Sequence, residues 1–125
     1  MSESIICQRA FEFARRILKL AESLWNRGPA ARHIASQLMR CGTSIGANAE
    51  ESQEAQTKPD FVAKLSVSRK EARESCHWLR LAVALNVANE EEVAWELDES
   101  NQLLAMIRKA IQTARSLSLE IPELF

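Results

Sequence analysis

Glu74-Ser75-Cys76-His77 is the stretch whose residue types come nearest to chemistry. On a helix, Glu-x-x-His sets a carboxylate and an imidazole one turn apart, the arrangement that holds iron or manganese in di-metal bundles. Such a centre needs two of these motifs and two further inward carboxylates. The other histidine, His33, has Ala30 three residues before it, so the second motif is missing. Cys76 and His77 do not make a protease pair, because adjacent helical positions point about 100 degrees apart. The chain also lacks a Gly-rich phosphate loop, a Ser/His/Asp set and a zinc spacing. These residues imply a protein that is not an enzyme and carries no catalytic, metal-binding or cofactor-binding side chains.

Polar residues inside apolar patterns are more informative. Ile34, Leu38, Cys41, Ile45, Asn48 and Ser52 step by four, three, four, three and four, which puts Asn48 where a core residue belongs. Its amide is either satisfied by backbone or water, or it selects one helix register and one assembly. Glu51, one turn on, is expected to meet Arg73 or Lys70 on the following helix. Glu71, Glu74, Trp78, Leu81 and Leu85 form a half-charged stripe. It is either a solvated face or a subunit interface, anchored by Trp78 and Leu81 with its carboxylates paired to Arg69, Arg73 or Arg80 of a neighbour. The interface reading is preferred, because a stripe ending in Trp and two Leu has little reason to stay wet. Arg15, Arg16, Lys19, Lys64, Arg69 and Lys70 are the candidates for contact with nucleic acid, the alternative function.

Four helices must position these groups. The first is expected over about residues 3–26, with Phe11, Ala14, Leu18, Ala21 and Trp25 as its inward stripe, widened by Ile17 and Leu24. Arg27-Gly28-Pro29 ends it, since Gly accepts a left-handed conformation and Pro starts a helix well. The second is expected over 30–56; from Gly42 to Ala55 it is built largely of small residues. Gly42 and Gly46 each cost about 1 kcal/mol relative to Ala, which implies a neighbouring helix at close approach. Thr57-Lys58-Pro59-Asp60 opens a third helix over 59–86, whose two apolar seams imply two neighbours. Asn89 caps a fourth over 90–117, and Ile121 to Phe125 form a tail. Long helices with short turns imply a single all-α domain, an antiparallel up-down-up-down four-helix bundle.

Composition sets further bounds. With 125 residues, 46% of them hydrophobic, one core needs neither disulfide nor metal. A net charge of -1 lacks the footprint of a strongly basic nucleic-acid binder, although helices one and three are locally basic and helix four acidic. Three scattered cysteines, no signal-peptide pattern and no unbroken apolar span point to a cytoplasmic protein that is not membrane-bound.

Ser-Ile-Gly-Ala-Asn-Ala-Glu-Glu at 44–51, Asp60-Phe61, Lys-Leu-Ser-Val at 64–67, Lys-Glu-Ala-Arg-Glu at 70–74 and Trp-Leu-Arg-Leu at 78–81 carry a family likeness. Together they resemble the bacterial four-helix bundle proteins encoded by intervening sequences within 23S ribosomal RNA genes. The resemblance implies an up-down bundle that assembles with itself into a cyclic homo-oligomer, a pentamer, with no enzymatic activity. A sister group, the accessory proteins of diversity-generating retroelements, is similar in fold and binds nucleic acid and a reverse transcriptase. Its members are strongly basic, which this chain is not. His77 is a further departure, standing where the family usually has Tyr.

Overall fold

A computed structural model describes residues 4–117. It contains four α-helices and, among the described residues, no strand: α1 (Ile5–Leu24), α2 (Pro29–Ser52), α3 (Lys58–Ala84) and α4 (Glu90–Ser116). The expected start near Glu3 and the tail from Ile121 to Phe125 lie outside the described residues.

Local chemistry sets each boundary. The Ser4 hydroxyl accepts from the Cys7 amide at 3.3 Å and opens α1. Gly28, at φ 115, makes the turn into α2, and Pro29 occupies its first turn. Thr57 accepts from the Asp60 amide to cap α3. Asn89 and Glu92 form a reciprocal capping box at α4, where Glu90, Glu91 and Glu92 also face the positive end of the helix dipole. The second helix stops at Ser52, short of the expected residue 56. There the amides of Gln53, Glu54 and Ala55 bond three residues back, to Glu50, Glu51 and Ser52, tightening the last turn.

Consecutive helices pack on each other, and α4 returns against α1. Fully buried side chains from all four meet in one core, among them Phe13, Ile17, Leu38, Ile45, Phe61 and Ile107. The pairings between α2 and α3 run in opposite senses. Glu51 meets Lys64, the Ile45 carbonyl accepts from the Ser68 hydroxyl at 2.7 Å, and Cys41 accepts from the Ser75 hydroxyl at 3.2 Å. Gly42 and Gly46 lie against α1: an added Cβ would come within 2.6 Å of Ile17 Cγ2 and 3.4 Å of Ala10 Cβ respectively.

One expectation needs correction. The buried stripe of α1 is Ile6, Ala10, Phe13, Ile17, Leu20, Ala21 and Leu24. Phe11, Leu18 and Trp25 instead point outward, at 66%, 41% and 39% exposure.

Cys41 shows what burial does to a titratable group in this core. Loss of hydration pushes its thiol from an ordinary 9.0 to about 11, and the Ser75 hydroxyl opposes this. The folded pKa lies above the unfolded one, so folding stability should be lost as pH rises from 9 towards 11. Denaturant unfolding at pH 8 and pH 10.5 should show the difference. Thiol reagents at pH 8 should modify the half-buried Cys7 first and Cys41 only on unfolding.

Candidate functional site

Two outward faces flank α2. On the α1 side, Phe11, Leu18 and Trp25 recur every seven residues, two turns apart, and so line up along the helix. Arg32 of α2 stacks over the Trp25 ring at 5.6 Å, and Met39 shares a surface recess with Trp25. At the other end, Phe11 lies beside Glu50 and Glu54.

On the α3 side, one arginine organises the acidic stripe. Arg40 of α2 pairs with Glu71 at 3.2 Å and donates a second hydrogen bond to Glu74. Its bond holds the Glu74 carboxyl below the ordinary value of 4.5, against the burial that would raise it. Glu74 also accepts from the Trp78 indole N–H at 3.2 Å. Trp78 is half-buried, with His33 at 5.5 Å and His77 at 5.1 Å, both edge-on to its ring. Leu81 is half-buried, while Val67 and Leu85 are exposed.

Within the chain the stripe's carboxylates meet Arg40, while Arg69, Arg73 and Arg80 line a groove between α3 and α4. One expected partnership is revised. Glu51 pairs with Lys64 at 3.2 Å instead of Arg73 or Lys70, because the α2–α3 turn brings residues 51 and 64 opposite each other. Asn48 is half-buried, and its amide donates to the Ser44 carbonyl of its own helix at 2.9 Å.

The expected nucleic-acid contacts do not form one surface. Arg15 pairs with Glu12 at 2.6 Å, and Arg16 lies 3.7 Å from Glu96 with its guanidinium 4.2 Å over Trp95. Lys64 is held by Glu51, and Lys19 lies beside Arg15 and Arg16 on α1. Arg69 and Lys70 belong elsewhere, in an open groove of about 770 Å³ between α3 and α4. Arg73, His77, Arg80 and Arg108 line the same groove. His77 faces this groove, whereas Cys76 is buried against the Ser100 hydroxyl at 3.0 Å. Among the described residues, no group of three or more His, Cys, Asp or Glu side chains is placed to hold a metal ion.

Sequence reading missed the ties between α1 and α4. Arg9 clamps Glu99 with two bonds of 2.6 and 2.9 Å and gives a third to Gln102. Glu96 is buried with one oxygen unpartnered. Neither acid breaks the polar pattern of an acidic helix, so composition alone carries no signal for them. Among the described residues, no helix is long and apolar enough to cross a membrane.

Comparison with known proteins agrees with this architecture. No curated protein matches the chain. A crystal structure of a protein of unknown function from the S23 ribosomal protein family of Bacteroides thetaiotaomicron is similar, with a TM-score of 0.81 and 31% identity. The match covers 86% of this chain and 99% of that one. The profile described as 23S rRNA-intervening sequence protein matches residues 2–109. With nearly all of the four-helix region inside that match, the chain belongs to the 23S rRNA-intervening sequence protein family.

Proposed function

We propose that this protein is a non-enzymatic, cytoplasmic homo-oligomer: a single-domain, antiparallel up-down-up-down bundle that closes into a ring, a pentamer, as a scaffold or accessory protein. The observation that carries this reading is the outward row of Phe11, Leu18 and Trp25. An aromatic and aliphatic row along one helix is a poor surface for a monomer in water. The α3 face supplies a different second patch, in which Arg40 bridges Glu71 and Glu74 beside Trp78, Leu81 and Leu85. Two unlike patches on one chain suit a head-to-tail contact, which closes as a ring when the rotation allows.

Light scattering after size exclusion tests this. Wild type should have a mass near five times 14.1 kDa, and the double variant Phe11→Ser, Leu18→Ser should run near one. The Val67→Ser, Leu85→Ser variant should dissociate likewise. All four side chains are exposed in the isolated chain, so their loss should leave the fold intact. Mixing the two variants leaves one good contact per pair and should give a dimer. A monomeric wild type at micromolar concentration would overturn the proposal.

A further inference from the structure

Among the described residues, six of the sixteen Lys and Arg side chains are ion-paired, and five of the others share one groove. Arg9, Arg15, Arg16, Arg27, Arg40 and Lys64 each sit within 4.0 Å of a carboxylate. The groove between α3 and α4 is different. Five positive side chains and one negative one line it, and the negative one, Glu74, is already held by Arg40. Among the described residues, none of Arg69, Lys70, Arg73, Arg80 and Arg108 has a carboxylate partner. On a chain of net charge -1, acids were available; the groove itself takes only Glu74, while Glu90 and Asp98 line the adjoining recess.

We propose that this groove binds a single strand of nucleic acid by its phosphodiester backbone. Arg69, Arg73 and Arg80 follow one side of α3 over roughly 16 Å at 1.5 Å per residue, and Arg108 faces them from α4. A row of unpaired guanidiniums is suited to a chain of phosphates, because each planar fork donates in parallel to two oxygens. The exposed His77 adds a ring within the row, on which a base can stack. A duplex fits less well. It presents two phosphate rows across a groove of about 6 Å or more, whereas the recess adjoining this groove is lined by Glu90 and Asp98. The groove opens between α3 and α4, whereas the Arg40 contacts lie between α2 and α3, and Glu74 borders both.

Fluorescence anisotropy of a labelled oligouridine with the full chain provides the test. If all five cations engage, log Kobs should fall with log salt at a slope of about -3.5, from roughly -0.7 per phosphate on a single strand. Arg73→Glu with Arg80→Glu should weaken binding about tenfold or more and reduce the slope by about 1.4. Lys58→Glu with Arg115→Glu makes the same charge change at residues that do not line the groove and should leave affinity within about twofold of wild type. Circular dichroism and solution mass should be unchanged in both. The proposal fails if wild type does not bind or if the two variants weaken equally. It also fails if a duplex of equal phosphate count binds more tightly, or if inorganic polyphosphate of matched length displaces the strand at equal phosphate concentration. A fall in assembly mass on Arg73→Glu with Arg80→Glu, without loss of binding, would make the groove a contact between copies instead.

Discussion

Gly42→Val should destabilise the protein by about 3 kcal/mol, while Gly46→Ala should change stability by less than about 1 kcal/mol. The two glycines lie one turn apart on the same face of α2, yet they differ in what stands over them. A Cβ at residue 42 would fall 2.6 Å from Ile17 Cγ2, 3.1 Å from its Cγ1 and 3.2 Å from its Cβ. Isoleucine branches at Cβ and holds essentially one χ1 rotamer in a helix, so neither branch can swing clear. Moving the whole of Ile17, which is fully buried, disturbs the core around it. At residue 46 the nearest atoms belong to Ala10, at 3.4 to 3.6 Å, which is ordinary to slightly tight contact. There the roughly 1 kcal/mol that Ala gains over Gly in a helix offsets the crowding. Thermal unfolding should show a loss of roughly 10 °C for Gly42→Val and little change for Gly46→Ala. Equal effects at the two positions would mean that α1 does not approach α2 more closely at Ile17 than at Ala10.

The same contact shows what the sequence makes legible. Two glycines inside a helix signal a close neighbour, and small residues along one face of α2 say which side it occupies. They do not say which glycine is the tighter, since that depends on the residue brought opposite. The stripe on α1 shows a second limit. Phe11, Leu18 and Trp25 keep helical spacing as well as Phe13, Ile17 and Leu24 do, and the former set looks more hydrophobic. What decides between them is the polar face. Glu12, Arg15, Lys19, Glu22 and Asn26 lie opposite Phe13 and Ile17, and only about a quarter turn from Phe11 and Leu18 at 100 degrees per residue. Reading the polar residues first finds the core, and it leaves the outward aromatic row as the surplus that needs explaining.

Arg40 was legible too, through register. The turn between α2 and α3 places Glu51 opposite Lys64 and Ile45 opposite Ser68. Carrying those pairings onward brings Arg40 to Glu74, with Glu71 one turn away. Looking for partners of Glu71 and Glu74 only on a neighbouring subunit overlooks Arg40 within the chain; Arg69, Arg73 and Arg80 line the groove with α4. The unpaired character of that groove is not visible in sequence at all. It arises because Glu96 and Glu99 of α4 turn towards α1, while Glu90 and Asp98 line the next recess along α3, and only the packing reveals where they go.

Those α4 acids give the second large effect. Arg9→Met should cost about 3 kcal/mol, because it leaves the Glu99 carboxylate buried without its partner. Glu99 is 8% exposed and receives both the Nε and Nη2 hydrogens of Arg9, while Nη1 lies 3.2 Å from the Met106 sulfur. A buried carboxylate stripped of its cation typically costs 3 to 5 kcal/mol. The Arg9 side chain is 31% exposed, and water can reach the vacated space, which favours the lower end. Glu99→Leu should cost less, about 1 kcal/mol, since Arg9 keeps its bond to Gln102 and some access to water. Combining Arg9→Met with Glu99→Leu removes both charges and leaves an apolar contact between α1 and α4, next to Phe13 and Trp95, whose rings stack at 6.5 Å. Replacing a buried pair by apolar groups of similar volume is often neutral or stabilising, so the double variant should recover to within about 1 kcal/mol of wild type. A double-mutant cycle in urea should therefore give a coupling of about 3 kcal/mol between the two positions. Additive effects would mean that Arg9 and Glu99 act as an ordinary solvated pair, leaving the α1–α4 contact to the apolar side chains alone.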